Sequence, residues 1–255
     1  MAGGGHGIGK AIALSLAREN FTTIICGHNA EHLREAVSEI NERTGVWISS
    51  YEVEATDPNA VKALFLKNIP ADTLDVLVNA VGRVERFGSF ADLSCEDWLD
   101  AWNLNFMSAV FMIQAALPWL KKSRAPRIVN ISSLPARQPG KFNPHYSAAK
   151  AALVNLSKHL AGTLARDGIL VNCICPGTLK GGGWERNVKD RAARFGIEEA
   201  LAASEIEREE KEKVPLGRIG TPEDVAELVA FLAGDKANFI TGQCFLVDGG
   251  ATRSL

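Results

Sequence analysis

Tyr146 and Lys150 stand four residues apart in the stretch YSAAK. The surrounding residues HYSAAKAALVNLSKHLA have the spacing of a helix, in which residues at i and i+4 lie on the same face. A phenol with a reference pKa of about 10 is a poor proton carrier near neutrality, but an adjacent ammonium favours the phenolate. We therefore expect both side chains to point into one site, where the tyrosine acts as a general acid or base.

Ser133 follows the apolar run RIVNI, which has the composition of a strand that enters the same site. A hydroxyl at that place can hydrogen-bond a carbonyl or an alcohol. A YxxxK pattern taken alone is as often a surface accident as a site, so the neighbouring motifs decide its meaning.

Gly3, Gly5, Gly7 and Gly9 lie in the stretch GGGHGIG, directly before KAIALSLAREN with its helical apolar spacing. Glycines at a helix start let the backbone approach a pyrophosphate, whose charge the free N–H groups and the helix dipole then hold. A glycine cluster alone could also be a flexible terminus. Followed by this helix, it indicates a dinucleotide-binding loop.

Helix and strand patterns alternate from this loop to the end of the chain. Asn29, Asp57, Ser94 and Thr221 are in positions to cap helices, and the helix that follows Ser94 is expected to run without interruption to about Leu120. The strand-like runs are FTTIICG, WISSYEVEA, LDVLVNA, RIVNI, ILVNCIC and QCFLVDGG. The pattern predicts an α/β fold of a single domain over residues 1–255, a Rossmann-like doubly wound parallel sheet with helices on both faces. Ligands in such sheets bind at the carboxyl ends of the strands.

Overall composition and charge bear on which classes of partner and which cellular location to expect. The formal charge of −2 gives no reason to expect nucleic acid, no apolar run is long enough to span a bilayer, and no secretory signal is present, so a cytoplasmic protein is expected. Of the five cysteines, Cys173 and Cys175 share a strand face, but nothing in the sequence supplies further ligands. We expect reduced core cysteines and no metal site.

The stretches GGGHGIG, LDVLVNAVG, NISS, YSAAK, VNCICPGT and FITGQCFLVDGG, together with Asn105, resemble the short-chain dehydrogenase/reductase family in order and spacing over nearly the whole chain. The resemblance implies a catalytic set of Asn105, Ser133, Tyr146 and Lys150. Tyr146 would be the general acid in reduction and the general base in oxidation, and Ser133 would polarise the substrate oxygen. Lys150 would lower the pKa of the tyrosine and hold ribose hydroxyls, and Asn105 would anchor a water that links Lys150 to a proton relay.

The resemblance also implies the residues that contact the cofactor. They are Gly3, Gly5, His6, Gly7, Ile8, Gly9, His28, Glu54, Asn79, Tyr146, Lys150, Pro176, Gly177 and Thr178. Glu54 stands where the family usually has an aspartate. Gly181 stands where the family often has a threonine that bonds the carboxamide, a role for which Thr178 is the substitute.

The turn Gly27-His28-Asn29 bears on the choice of cofactor. In this fold an acidic side chain just past the second strand accepts hydrogen bonds from the ribose of NAD, and no carboxylate stands in this turn. His6 and His28 occupy places where NADP-using relatives often carry basic residues. NADP(H) is therefore preferred, and NAD(H) is the alternative.

Within the family, the chain resembles 3-oxoacyl reductases. An NADPH-dependent 3-oxoacyl or general ketone reductase is expected, with an NAD-dependent dehydrogenase of a sugar, polyol, steroid or ring diol as the alternative. The pocket candidates are Arg83, Phe87, Leu134, Gln138 and Phe142. Arg83, Arg137 and Lys141 could attract an acyl thioester carrier, and a homodimer or homotetramer is expected.

Residues 178–213 are a candidate substrate lid, since three glycines precede a charge-rich helical stretch. Trp184 and Phe195 could cover an apolar substrate there, and the alternative is a solvated surface excursion with one buried aromatic residue.

Relatives have a strand before the glycine loop, and Met1 and Ala2 stand where that strand would end. One expectation is that Met1 is an internal methionine of a longer product or follows removed residues. The other is a short form that lacks the first, central strand and whose cofactor loop is disordered. If the chain is such a short form, a catalytically inert scaffold protein is a second alternative to an enzyme.

Overall fold

The structure is a computed structural model that describes residues 1–69 and 72–253. Its strands are β1 (Ile24–Gly27), β2 (Ser49–Glu52), β3 (Val76–Asn79), β4 (Arg127–Ile131), β5 (Leu170–Pro176) and β6 (Cys244–Val247). They pair in parallel in the order β2-β1 and β3-β4-β5-β6. The predicted α/β fold with a parallel sheet is confirmed.

Helices cover both faces of this sheet, as predicted. They are α1 (Gly7–Arg18), α2 (Ala30–Thr44), α3 (Pro58–Asn68), α4 (Cys95–Trp102), α5 (Ser108–Leu120), α6 (Pro144–Leu164), α7 (Gly182–Phe195), α8 (Glu199–Lys213) and α9 (Pro222–Ala233). Helices α3 and α5 pack on one face in a cluster that includes Phe65, Met112 and Ile128, and helices α1 and α9 pack on the other face around Ile12 and Val229. In the described part of the chain, no helix is both long and apolar enough to cross a membrane.

The first residues of the chain lie in the middle of the sheet. Ala2 forms parallel bridges to Cys26 in β1 and to Asn79 in β3, and so joins the two groups of strands. Its N–H donates to the carbonyl oxygen of Val78 at 2.9 Å, and its own carbonyl oxygen accepts from Ala80 at 3.0 Å. A single bridging residue therefore stands where the resemblance places a full strand. The glycine loop that follows is an ordered turn into α1, so the expectation of a disordered loop is wrong.

The predicted helix caps are present. The side chain of Asn29 accepts from His32 N–H at 3.0 Å, and that of Asp57 accepts from Asn59 N–H at 2.8 Å. Ser94 and Thr221 each begin a capping box with the aspartate three residues later. These caps fix where α2, α3, α4 and α9 begin, and with them the loops between strand and helix.

The helix after Ser94 differs from the prediction. Instead of running without interruption to Leu120, it changes to a π-helical turn over Asn103–Met107 between α4 and α5. Turns of this kind are rare and frequently occur at functional sites. This one contains Asn105.

Candidate active site

Helix α6 carries Tyr146 and Lys150 and is fixed to the sheet by buried polar side chains. Asn79 Nδ2 donates to Asn130 Oδ1 at 2.8 Å, and Asn130 Nδ2 donates to Ser157 Oγ of α6 at 2.9 Å. Ser132, just after β4, donates through its hydroxyl to the backbone carbonyl of Lys150 at 2.8 Å. Because these groups are buried, each bond satisfies atoms that would otherwise destabilise the fold. The helix is therefore held in one register against the ends of β3 and β4.

Tyr146 and Ser133 meet at the carboxyl end of β4. Burial raises the pKa of the Tyr146 phenol, and a side-chain hydrogen bond with Ser133 lowers it in part. The Nζ atom of Lys150 lies 5.9 Å from the centre of the tyrosine ring. The structure thus brings three of the four predicted catalytic residues together, and a lowering of the tyrosine pKa by Lys150 stays a prediction.

Lys150 is an almost fully buried ammonium held by backbone oxygens. Its Nζ donates to the carbonyl oxygens of Val81 at 3.2 Å and Ile131 at 3.1 Å. Burial lowers its pKa to about 8, because the low-dielectric surroundings disfavour the charged form. The ends of β3 and β4 therefore position the amine, and its burial there disfavours the charged ammonium form.

The lowered pKa of Lys150 makes the stability of the folded protein depend on pH in a way that can be measured. The unfolded lysine has a pKa of 10.5 and the folded one of about 8, so between these values the unfolded state binds more protons and the contribution of Lys150 to stability rises with pH. We expect the unfolding free energy of wild type, relative to Lys150→Met, to increase from pH 8 to pH 10. Chemical denaturation at both pH values measures it, and a difference independent of pH would contradict the buried ammonium.

Asn105 clamps the loop after β3. Its Oδ1 accepts from Arg83 N–H at 3.0 Å, and its Nδ2 donates to the carbonyl oxygens of Arg83 at 3.1 Å and Ala101 at 3.0 Å. From the π-helical turn this buried amide bonds both to the loop and to the preceding turn of α4. The side-chain amide is thus occupied by backbone, and the water that the resemblance assigns to Asn105 stays a prediction.

Gly82 is a site residue that the sequence reasoning missed. It has a φ of 148°, and a Cβ there would lie 2.5 Å from Asn105 Oδ1 and 2.6 Å from Lys150 Nζ. Only a glycine allows both functional atoms to approach the loop backbone so closely. The one signal in the sequence was a glycine just beyond the end of β3, in the run NAVG.

The glycine loop fits a pyrophosphate by its geometry. A side chain at Gly9 would overlap the carbonyl oxygen of Gly3, and one at Gly3, where φ is 79°, would lie 2.8 Å from the carbonyl carbon of Ala80. Gly7 is different, because apart from its chain neighbours and the adjacent backbone of its own helix no atom of the described residues lies within 4 Å of its Cβ position. Helix α1 has no acidic residue in its first turn, and His6 gives its N-terminus no side-chain cap. The free N–H groups there suit an anion.

Glu54 lies just beyond β2, and His28 just beyond β1, as their predicted contact with the cofactor requires. Burial alone would raise the pKa of Glu54, but hydrogen bonds from the backbone and hydroxyl of Thr56 and the charges of His28 and Arg83 lower it overall. Arg83, predicted as a residue of the substrate pocket, comes from the loop after β3 and is near enough for its charge to act on Glu54.

Asn79 and the residues after β5 also lie at the edge of the sheet that is formed by the carboxyl ends of the strands. Asn79 Oδ1 is buried and has no hydrogen-bond partner within residues 1–69 and 72–253. Gly177 follows β5, and a Cβ there would lie 2.9 Å from the Cα of Asp248. Thr178 Oγ1 donates to Glu210 Oε2 at 2.7 Å, so its predicted bond to a carboxamide competes with an existing one and stays a prediction.

Comparison with known proteins assigns this arrangement to a family. A family model described as "Enoyl-(Acyl carrier protein) reductase" matches residues 2–252. The 3-oxoacyl-(acyl-carrier-protein) reductase of Aquifex aeolicus is 33% identical over 252 residues, which cover 98% of this chain and 95% of the relative. The chain belongs to the short-chain dehydrogenase/reductase family. It is thus an NAD(P)-dependent oxidoreductase that acts on C=O or CH–OH groups.

Two solved structures of reductases are similar throughout. L-sorbose reductase from Gluconobacter frateurii, complexed with NADPH and L-sorbose, has a TM-score of 0.92 at 28% identity, with 100% of this chain and 96% of that chain covered. A single-residue variant of actinorhodin polyketide ketoreductase, solved with NADPH, has a TM-score of 0.91 at 30% identity, with 99% and 96% covered. These matches confirm the Rossmann-like fold of this dehydrogenase/reductase.

In this short-chain dehydrogenase/reductase, the segment 178–213 forms a pair of helices. Helices α7 and α8 pack through Val188, Ala192, Ala202 and Ile206, and Trp184 packs against this cluster. The pair reaches the catalytic loop through one described side-chain hydrogen bond, from Arg186 Nη1 to the carbonyl oxygen of Val84 at 3.0 Å. The segment is therefore a small unit with its own apolar core.

Proposed function

We propose that this protein is an NADPH-dependent reductase of ketones, most closely of the 3-oxoacyl type. The observation that carries the proposal is the half-buried side chain of Tyr146, whose ring centre lies 5.9 Å from Nζ of the buried Lys150, on the helix that packs against the end of β4 next to Ser133. Burial raises the pKa of this phenol, so it holds its proton near neutral pH. A protonated phenol can donate to a carbonyl oxygen, which supports reduction over oxidation.

The residues have separate tasks in this reaction. The hydroxyl of Ser133 hydrogen-bonds the carbonyl oxygen of the substrate, and the phenol of Tyr146 gives that oxygen its proton. The ammonium of Lys150 stabilises the negative charge that the phenol acquires as its proton leaves. NADPH, when bound, supplies the hydride for the carbonyl carbon. Asn105 and Gly82 keep the loop after β3 against Lys150 so that these groups keep their positions.

The preference for NADP(H) rests on the turn after β1. The amide of Asn29 is used to cap α2, His28 is exposed, and the turn holds no carboxylate to repel a 2′-phosphate. The rings of His6 and His32 lie 5.4 Å apart beside the start of α1. Both solved relatives described above were determined with NADPH.

A change in this turn should alter cofactor choice. We expect His28→Asp to weaken NADPH binding by at least about tenfold with little effect on NADH, because like charges placed together at an interface cost several kcal/mol. Fluorescence titration with both nucleotides measures this, and His159→Asp, an exposed histidine on α6, is the control. Tighter binding of NADH than of NADPH by wild type would favour the alternative, an NAD-dependent dehydrogenase.

The substrate class is supported by an apolar rim on the loop after β3 and the loop before α6. Phe87 and Phe142 are about half exposed on neighbouring loops, which a hydrogen bond from Gly88 N–H to the carbonyl oxygen of Phe142 joins at 2.9 Å. Such a rim suits an acyl chain better than a polyhydroxylated one, and exposed Arg137 and Lys141 can attract an acidic carrier. Comparing kcat/KM for a 3-oxoacyl thioester and a ketose tests the class. A preference for the ketose would overturn it.

We propose the pair α7–α8 as the substrate lid. The hydrogen bond from Arg186 to the loop after β3 gives the lid its link to the catalytic loop. Trp184 is already packed within the pair, so it is only partly available to cover a substrate. If the lid closes through Arg186, Arg186→Gln should raise KM several-fold with folding unchanged. An unchanged KM would contradict this role.

A homodimer or homotetramer is proposed from the exposed apolar side chains of α4. Leu99 is 62% exposed and Trp102 is 39% exposed, on the helix that leads into the catalytic π-helical turn. A second copy of the chain would cover them. Light scattering should give a multiple of the 27.5 kDa chain mass, and the mass of a monomer would refute the proposal.

The cytoplasmic location stays a prediction from the sequence.

A further inference from the structure

Three cysteines converge behind the active site. Cys173 and Cys175 lie on one face of β5, and Cys244 of β6 is the register partner of Cys173. The three Sγ atoms lie within 4.8 Å of one another, and those of Cys175 and Cys244 are 3.4 Å apart. The expectation that nothing adds to the Cys173 and Cys175 pair is therefore wrong, because the third thiol comes from a strand 69 residues further along the chain.

The spacing of the sulfur atoms matches a shared cation. Thiolate bonds of about 2.3 Å to a metal require sulfur atoms about 3.8–4.0 Å apart in tetrahedral or trigonal geometry. The observed spacing, from 3.4 Å to at most 4.8 Å, brackets this value, so side-chain shifts alone can close the site. We propose that Cys173, Cys175 and Cys244 form a binding site for a soft, thiophilic metal cation such as Zn²⁺. This inference does not depend on the proposed function.

The chemistry of the cluster selects the class of cation. Its three members are all sulfur donors, and no carboxylate or imidazole belongs to this group among the residues that the structure describes. Thiolates select soft or borderline cations such as Zn²⁺, Cd²⁺ and Cu⁺, whereas Mg²⁺ and Ca²⁺ require oxygen ligands. The site should therefore discriminate strongly between these two classes.

Cys244 is the least buried of the three cysteines, so a cation would reach the cluster from its side. Cysteine binds a metal ion as the thiolate, and binding therefore releases the thiol protons to solvent.

Cadmium is the probe for the test, because its bonds to thiolates give an ultraviolet charge-transfer band. Reduced, metal-free protein is titrated with Cd²⁺, and Zn²⁺ is then added in competition. Cys244→Ser and Cys175→Ser remove ligands, and Cys95→Ser, an exposed cysteine outside the cluster, is the matched control. Thermal unfolding of each variant establishes that it is folded before binding is compared.

We expect one Cd²⁺ per chain in wild type and in Cys95→Ser, displaced by Zn²⁺ but not by Mg²⁺. Loss of a residue that only supports a metal ligand weakens binding by about 10–100-fold. Each cluster variant loses a ligand itself, so its affinity for Cd²⁺ should fall by at least as much. Failure of folded, reduced wild type to bind Cd²⁺ would overturn the proposal. If Cys244→Ser and Cys175→Ser bound Cd²⁺ as tightly as wild type does, the proposal would also be overturned. Loss of Cd²⁺ binding in Cys95→Ser would overturn it as well.

Discussion

Replacing Tyr146 by phenylalanine should reduce kcat by about 10²–10⁴-fold, the usual contribution of a positioned general acid. Phenylalanine keeps the ring and its packing and removes only the phenolic hydroxyl that would donate the proton. Steady-state kinetics with NADPH and a 3-oxoacyl thioester measures the loss. It should fall on kcat and on kcat/KM alike, because the proton is donated in the transition state.

The control for this variant is cofactor binding. The affinity of Tyr146→Phe for NADPH should change only by the loss of one hydroxyl contact, far less than kcat, so fluorescence titration separates chemistry from binding. Turnover close to that of wild type would contradict the assigned proton donor. An inert wild type that nevertheless binds NADPH would instead support the scaffold alternative.

Replacing Gly82 by alanine should lower kcat by about 10²-fold, since a displacement of about 1 Å in a catalytic group costs that much. The new methyl group would lie 2.5 Å from Asn105 Oδ1 and 2.6 Å from Lys150 Nζ, at a φ of 148°. Both contacts are with the ends of side chains, which can move away. The fold should therefore survive while the lysine leaves its place between β3 and β4.

A matched variant distinguishes this displacement from a general effect of alanine. Gly162 lies in α6, and apart from its chain neighbours and the adjacent backbone of its own helix no atom of the described residues falls within 4 Å of its Cβ position. Gly162→Ala should leave kcat unchanged and stabilise the helix slightly, by up to about 1 kcal/mol. Gly82→Ala with wild-type kinetics would mean that the position of Lys150 is not critical.

Local signals predicted the elements that carry the site. The caps at Asn29 and Asp57 are present, because such preferences depend only on a few neighbouring residues. Alternating strands and helices then fix the parallel order and bring the strand ends to one edge. For this reason the amino-acid pattern alone was enough to place Ser133, Tyr146 and Lys150 in one site.

The features that the sequence did not predict depend on contacts between distant segments. The π-helical turn around Asn105 has the same apolar periodicity as an ordinary helix, so its change of hydrogen bonding is invisible to pattern. The need for glycine at Gly82 comes from Asn105 and Lys150, which lie on two different helical segments. Cys244 joins the thiol cluster only through the pairing of β5 with β6. Each of these requires the tertiary structure.

Isotope transfer tests whether this chain reduces a ketone with a hydride from NADPH and a proton from Tyr146. The protein is incubated with NADPH that carries deuterium at the transferable position and with a 3-oxoacyl thioester, and deuterium in the product is measured by mass spectrometry. We expect one deuterium on the new alcohol carbon with wild type and almost none with Tyr146→Phe. Absence of label with wild type, or equal labelling by both proteins, would refute the proposed reaction.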